Sequence, residues 1–352
     1  MDRRDFLDPR QLAHTAAQVL GAVEELHARP ATCAEAEVAL LRLAHRAMAT
    51  TFEVVLPYGT PNALAAGSTT FAEIDRLEQQ LTVYRETSEV SRLNRLAART
   101  AVPVEPELFN LLSLAAHIHA ETAGGYDVTA GALIKAWGFY RGPRRVPSDE
   151  ERAAALGRVG MQHVLLDSQA HTVRFLRSGL EINFGSIGKG YALDRVAQRL
   201  RSDCGVTTAL VHGGHSSVYA MGQGPAGQRG WSVGIRHPWQ PDTRLALVWL
   251  RDCALGTSAA TSQHLEYNGR KLGHILDPRS GWPAEELASV SVIAPSAAEA
   301  DALSTAFFVL GRERTRAYCE THPHVGALLL PQGESARPVA FGLNEEQVLI
   351  FD

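Results

Sequence analysis

The feature that most constrains the fold is a long succession of strand signals after residue 160 with only two helices among them. Residues 163–166 and 172–176 read as a hairpin across Asp167 to His171. Further strand signals fall at 180–184, 207–212, 217–221, 231–236, 245–250, 288–294, 325–330 and 347–351, interrupted by helices at 190–203 and 297–310. A parallel α/β fold would alternate strand with helix; strands in runs with a few helices argue for an α+β fold. The first half is different. One strand at 51–56, ended by Pro57, precedes a helix at 71–84 with Ile74, Leu77 and Leu81 on one face. Ser88 caps a short helix through Leu96, and Pro106 starts another that stops at Gly124-Gly125. Residues 142–149, with Pro143 and Pro147, read as a polar linker. The expected organisation is a helical N-terminal extension at 1–40, broken at Arg29-Pro30, then one domain at 41–352. That domain is helix-rich over 41–150 and strand-rich over 151–352.

Composition narrows the partners. Of 352 residues 45% are hydrophobic and 20% charged, enough to bury a full core, and the net charge is −4 with no basic block. No nucleic-acid partner is therefore expected. The four cysteines (Cys33, Cys204, Cys253, Cys319) have no ligand-like spacing, so neither a zinc site nor a disulfide framework is implied. No transmembrane segment is present. Arg3-Arg4-Asp5-Phe6-Leu7 resembles a twin-arginine signal, but residues 11–27 read as an amphipathic helix where an apolar region should follow. A cytoplasmic location is the expectation from the sequence itself, with export left open.

The helix at 297–310 carries the first chemical signal. Ser296 is an N-cap with Glu299 three residues on, and Leu303, Ala306, Phe307 and Leu310 form the apolar stripe that Gly311 ends. Asp301 and Thr305 are one turn apart, on the face opposite that stripe. They read either as a solvated face or as two hard oxygen ligands for a cation such as Mg²⁺. Twenty residues before Asp301 ends the turn His274-Ile-Leu-Asp-Pro-Arg-Ser-Gly281, stiffened by Pro278.

Three glycine turns add to this. Gly185-Ser-Ile-Gly-Lys-Gly190 opens a helix, and backbone N–H groups, the helix dipole and Lys189 there suit a phosphate, although taken alone an ordinary structural turn is the commoner use of such glycines. His212-Gly-Gly-His-Ser-Ser217 and Thr122-Ala-Gly-Gly-Tyr-Asp-Val-Thr129 are the others. Tyr84 and Tyr126 can stack on a planar ring or pack in the core.

Taken in order, Met48-Ala-Thr-Thr51, residues 84–94, 124–139, 185–194, 211–222, Thr257-Ser258, 274–281 and 300–311 resemble the ApbE family of FAD:protein FMN transferases. The resemblance implies an α+β fold of mixed sheets with packed helices, related to the T-fold. It implies Mg²⁺-dependent transfer of FMN from FAD to a Thr or Ser hydroxyl of an acceptor flavoprotein, with release of AMP. Asp301, Thr305 and the Gly188 carbonyl would hold Mg²⁺, with Gly188 standing where the family usually has alanine. Met48 and Tyr84 would flank the isoalloxazine ring, Gly125, Tyr126 and Asp127 would meet the adenine half or ribose, and Ser186, Lys189 and Ile275 would line the same cleft. His274 would stand at the reacting phosphorus as general base or as orienter of the acceptor hydroxyl. Asn183 replaces a family aspartate, His215 the aspartate of Gly-Gly-Asp, and Ala259-Ala260 the Gly-Asp of Thr-Ser-Gly-Asp. The same cleft would serve an FAD pyrophosphatase, and a non-catalytic flavin-binding protein is the further alternative.

Overall fold

In the computed structural model the described residues are 39–351, apart from 241, 261–263, 268 and 334–335. The helix expected near the N-terminus, Arg3-Arg4 and Cys33 lie outside them. Residues from Ala39 onward form one compact unit.

The frame is an eight-stranded antiparallel sheet. Its strands are β1 (Leu40–Ala47), β2 (Thr50–Pro57), β6 (Ala209–Gly213), β7 (Ser217–Met221), β10 (Cys253–Ala259), β13 (Leu287–Ala294), β14 (Gly326–Pro331) and β15 (Val339–Phe341), in that spatial order. All eight residues of β13 are buried, which tells that both faces of the sheet are covered. Phe52, Val54 and Leu56 of β2, and Ala327 and Leu329 of β14, join the large core under the helices. Val55, Leu328 and Leu330, one residue out of phase, join a second core. That second core is closed by a three-stranded sheet of β8 (Trp231–Arg236), β9 (Arg244–Leu250) and β16 (Val348–Ile350). The result is three layers: helices, sheet, small sheet.

The helical layer consists of α1 (Ala63–Leu81), α2 (Glu89–Leu96), α3 (Pro106–Glu121), α6 (Gly188–Ser202) and α7 (Ala297–Thr321). Short helices α4 (Gly131–Ala136) and α5 (Asp149–Leu156) pack around Leu133 and Trp137, together with Leu272 of β12 (Arg270–Gly273), which pairs with β11 (His264–Tyr267). A small sheet of β3 (Val102–Pro103), β5 (Thr172–Phe175) and β4 (Val164–Asp167) contains the expected hairpin. No helix among the described residues is long and apolar enough to cross a membrane.

Several sequence expectations need correction. Residues 180–184 are not a strand. Leu180, Ile182 and Phe184 do alternate into the core, at 1%, 0% and 4% exposure, which is the pattern that suggested one. Their backbone is instead held by the Asn94 side chain at Ile182 and by one isolated bridge from Glu181 to Ala130. The polar stretch before 149 leads into α5, which Ser148 starts with a complete capping box to Glu151. Gly311 does break the helix, at φ 74°, but a second helical segment runs on to Thr321. The helix expected at 71–84 begins earlier, at Ala63, and ends at Leu81.

Candidate active site

The site lies at one end of the main sheet. The β1–β2 turn at Met48-Ala49, the β6–β7 turn at 214–216, the last residues of β10 and the start of β13 share that end, as the pairings Ala47↔Thr50, Gly213↔Ser217, Gly256↔Ser217 and Ala259↔Ser289 require. Across it α6 and α7 meet almost backbone to backbone. A Cβ on Gly190 would stand 2.0 Å from the Ala297 carbonyl oxygen, and one on Gly256 of β10 would stand 2.6 Å from the Asp301 nitrogen. Only glycine permits either approach.

These close contacts bury Asp301, at 6% exposure, and correct one reading of its face. The side of α7 opposite the apolar stripe is not solvated: it packs on β7 and β10, and Ser304 beside it is buried as well. The Asp301 carboxylate accepts the Gly190 N–H at 2.7 Å and the Ser217 hydroxyl at 2.7 and 3.0 Å. Burial raises its pKa, opposed by the charge of Lys189 and by those two donors. A reciprocal contact runs the other way. Asp194, one turn beyond Gly190 on α6, accepts the N–H groups of Ala297 and Ala298 at 2.7 and 2.9 Å. It thus occupies the N-terminus of the helix that bears Asp301. Burial pushes the Asp194 carboxyl up to about 7 despite both donors.

One turn from Asp301, the Thr305 hydroxyl lies 3.2 Å from the hydroxyl of Ser258 on β10. Gly188 is the first residue of α6, and a methyl group there would meet the Phe184 Cβ at 3.6 Å, an ordinary contact. The alanine usual in the resembling family would therefore fit, and glycine leaves the carbonyl in place. Lys189 follows, near enough to Asp301 for their charges to interact, while the Ser186 hydroxyl donates to the Tyr126 hydroxyl oxygen at 3.4 Å. Asp301, Thr305 and the Gly188 carbonyl are one carboxylate, one hydroxyl and one carbonyl: hard, oxygen-only donors. This set suits Mg²⁺ that completes its shell with water and substrate phosphate, and it is unlike a structural cage. No group of three or more His, Cys, Asp or Glu side chains among the described residues could hold a metal by itself.

Around this centre the other expected residues divide. Met48 and Ala49 both occupy the left-handed region, φ 49° and 59°, in a two-residue hairpin turn where glycine or asparagine is usual. The Met48 N–H is held by the Glu78 carboxylate at 2.9 Å, so the strain is fixed by α1. Tyr84 is 54% exposed and stacks on Tyr140, 4.8 Å between centroids and 4° from parallel. The Arg141 guanidinium lies over both rings. A cavity of about 220 Å³ opens beside Tyr140, between Asn94, Lys135, Glu181 and Asn183. Tyr126, by contrast, is 1% exposed, so the core-packing reading holds and its ring is not free to stack on a ligand. The Asp127 carboxylate is turned inward, accepting from Thr129 (N–H 2.8 Å, hydroxyl 2.6 Å), from the Met161 N–H at 3.1 Å and from His119 at 3.2 Å. Gly125 packs on α7, since a Cβ there would stand 2.7 Å from Leu310.

His274 is half-buried directly after β12, its ring edge-on to Phe139 at 6.4 Å. Neighbouring Gly273 leaves room for Ala260, since a Cβ there would stand 2.7 Å from the Ala260 Cβ. That contact brings the turn to the end of β10, two residues past Ser258. Ile275 is buried and accepts the Ala284 N–H, closing the 275–284 turn. Of the departures, Asn183 accepts the Gly185 N–H through its side-chain oxygen at 2.8 Å, a turn contact an aspartate would make equally. His215 is exposed, and burial on its inner side with nearby Arg236 lowers its pKa. Sequence reasoning gave no role to Ser217, Ser258, Asp194 or Tyr140. Each lies in or beside a segment that carried the resemblance, but only tertiary contacts show what it touches.

The strained hairpin, the glycine-opened helix crossing and the buried carboxylate thus lie together at one sheet end. The ApbE family matches residues 48–329, and the chain belongs to it. An FAD:protein FMN transferase of Treponema pallidum is 32% identical over 299 residues, 81% of this chain and 82% of that one. One of Escherichia coli K12 is 30% identical over 270 residues, 75% and 76% of the two chains. Among solved structures, the apo form of Pseudomonas stutzeri flavinyl transferase ApbE superposes with a TM-score of 0.77 at 30% identity, covering 86% of this chain and 95% of that one. The ApbE protein of Thermotoga maritima gives 0.77 at 29% identity, covering 86% and 97%.

Proposed function

We propose that this chain is a transferase that moves FMN from FAD to a Thr or Ser hydroxyl of an acceptor protein, releasing AMP, with Mg²⁺ bound at Asp301, Thr305 and the Gly188 carbonyl. The observation that carries the reading is the buried Asp301 carboxylate beside Lys189 and the N-terminus of α6. A buried anion of this kind is costly unless a cation accompanies it. The names of relatives at 30% and 32% identity support flavin transfer as the reaction.

The chain's own residues then divide the work. Lys189, at the positive end of the α6 dipole, attracts the pyrophosphate. Tyr84, backed by Tyr140 and Arg141, offers its ring to the isoalloxazine, and Met48 closes the other side. The acceptor's hydroxyl oxygen forms a bond to the FMN phosphorus as the anhydride bond to AMP breaks. The hydroxyl proton passes to His274, and AMP departs with the bonding electron pair. A divalent cation, when bound, neutralises charge growing on the phosphate oxygens. Water in place of the acceptor would give FMN and AMP through the same groups.

The test is to incubate the protein with FAD and Mg²⁺, with and without an acceptor flavoprotein, following covalent flavin fluorescence and AMP. Transfer is expected to need both the acceptor and the metal. Asp301→Ala should lower it by about 10²–10³ or more, the usual cost of losing an electrostatic contact to the transition state, with the fold retained. An Asp301→Ala protein that flavinylates at the wild-type rate would overturn the metal assignment. AMP release at the same rate without acceptor would make the protein a pyrophosphatase.

A further inference from the structure

Two serines behind the proposed cation site are placed to aim its ligands. Ser217 is 0% exposed, at the first position of β7, and its hydroxyl donates to both oxygens of Asp301, 2.7 and 3.0 Å. The Gly190 N–H donates to one of the same oxygens, so two protein donors, with one proton each, hold this carboxylate from the α6 and β7 side. About two of its acceptor directions remain. Ser258, on β10, reaches the Thr305 hydroxyl at 3.2 Å and the Ser304 hydroxyl at 2.8 Å. Ser304 in turn donates to the Asp301 carbonyl at 2.9 Å, and Thr305 does so at 3.3 Å. When Thr305 donates to that carbonyl, its oxygen lone pairs remain for Ser258 and a metal. The two serines sit on different strands and meet two ligands one turn apart on α7.

We infer that Ser217 and Ser258 are positioning residues for the cation: Ser217 fixes the rotamer and the free lone pair of Asp301, and Ser258 fixes the Thr305 hydroxyl. This rests on the cation reading above. A buried carboxylate without its donor rotates or recruits water, and outer partners of metal ligands typically change affinity 10–100-fold. The alternative for a buried serine is plain packing, where alanine is tolerated and nothing about the metal changes.

Ser217→Ala, Ser258→Ala and Ser258→Thr, made in the full chain, separate the two. The readouts are the Mg²⁺ concentration that half-saturates FAD binding, Mn²⁺ affinity by electron paramagnetic resonance in the presence of FAD, and the melting temperature in EDTA. Both alanine variants are expected to need about tenfold more Mg²⁺ or Mn²⁺ or beyond, with the metal-free melting temperature little changed for Ser258→Ala. Ser258→Thr, which keeps the hydroxyl, should restore the metal affinity. A lowered melting temperature with an unchanged metal requirement in both alanine variants would make the serines structural and overturn the inference. Unchanged variants beside a clear wild-type metal response would sink the positioning role alone. A wild-type protein whose FAD binding ignores Mg²⁺ would instead remove the cation reading beneath it.

Discussion

At the scale of single residues, side chains that need not touch the reacting atoms set how the site presents itself. Tyr140 is one. Its ring backs Tyr84 face to face, its hydroxyl donates to the Val83 carbonyl at 2.6 Å, and Arg141 bonds the Tyr84 carbonyl at 2.9 Å. A half-exposed tyrosine held this way is already stiff before any ligand arrives. Tyr140→Ala is therefore expected to weaken FAD binding by about 0.5–1.5 kcal/mol, the worth of an aromatic pair, measurable by flavin fluorescence titration, with the protein still folded. Tyr140→Phe should keep most of the stack. The His119–Asp127 pair gives a pH test. Its hydrogen bond to Asp127 raises the His119 pKa above the ordinary 6.5, outweighing burial. A raised histidine stabilises the fold fully below the unfolded value, and the contribution is lost as pH rises through the folded value. Urea melts from pH 5.5 to 8.5 should thus show the stability of wild type over His119→Gln shrinking as pH rises. A difference that stays flat would mean that the histidine titrates alike in the folded and unfolded chain. The Asp301 and Thr305 pair was visible in the sequence for a physical reason: Ser296 and the apolar period of Leu303, Ala306, Phe307 and Leu310 fix the phase of the helix. The hydroxyl partners were not, because Ser217 and Ser258 acquire them only through the register of β7 against β10.

Among elements, the crossing of α6 and α7 is the joint on which the site depends. Gly190 gives an N–H to Asp301 while Asp194, a turn later, takes two N–H groups from the start of α7. Each helix thereby satisfies polar groups that the other would leave buried and unpaired. Asp194→Ala should destabilise the protein by about 1–3 kcal/mol, the cost of stranding buried donors. Asp194→Asn, which keeps an acceptor, should cost clearly less in the same thermal or urea melts. Equal losses in both variants would show that the carboxylate's charge, not the hydrogen bonds, holds the crossing. The sequence announced α6 and α7 by their glycines, cap and periodicity, but not that they touch. The strand beneath them, Cys-Ala-Leu-Gly-Thr-Ser-Ala in β10, carries almost none of the β-branched bulk by which strands are recognised. Its residues are small because α7 lies against Gly256, so what makes the site possible also hid the strand. The converse happened at 180–184, where alternating burial imitates a strand although the backbone pairs with a side chain.

For the whole molecule, the α+β reading followed from strands in runs, and the sheet is antiparallel throughout its eight strands as such runs favour. The order β1-β2-β6-β7-β10-β13-β14-β15 could not be read, because it depends on which apolar faces meet across long connections. Three layers leave the sheet end as the place where a turn, two helix termini and a strand converge, and the cation ligands proposed there come from α6 and α7. One side-chain carboxylate is too little to hold Mg²⁺ tightly, since this ion keeps most of its water and shares the rest with phosphates. The cation and the dinucleotide should therefore bind as a unit. A ligand that binds only the folded state at a hundred times its Kd adds about 2.7 kcal/mol, worth a few degrees in a chain of this size. Thermal unfolding should show little shift with Mg²⁺ alone, a small one with FAD in EDTA, and with both together a shift larger than the two added. Asp301→Ala should keep the small FAD shift and lose the excess. If Mg²⁺ alone raised the melting temperature as far as the pair does, the ion would have a complete protein site of its own. The division of ligands between α6, α7 and the substrate phosphates would then be wrong.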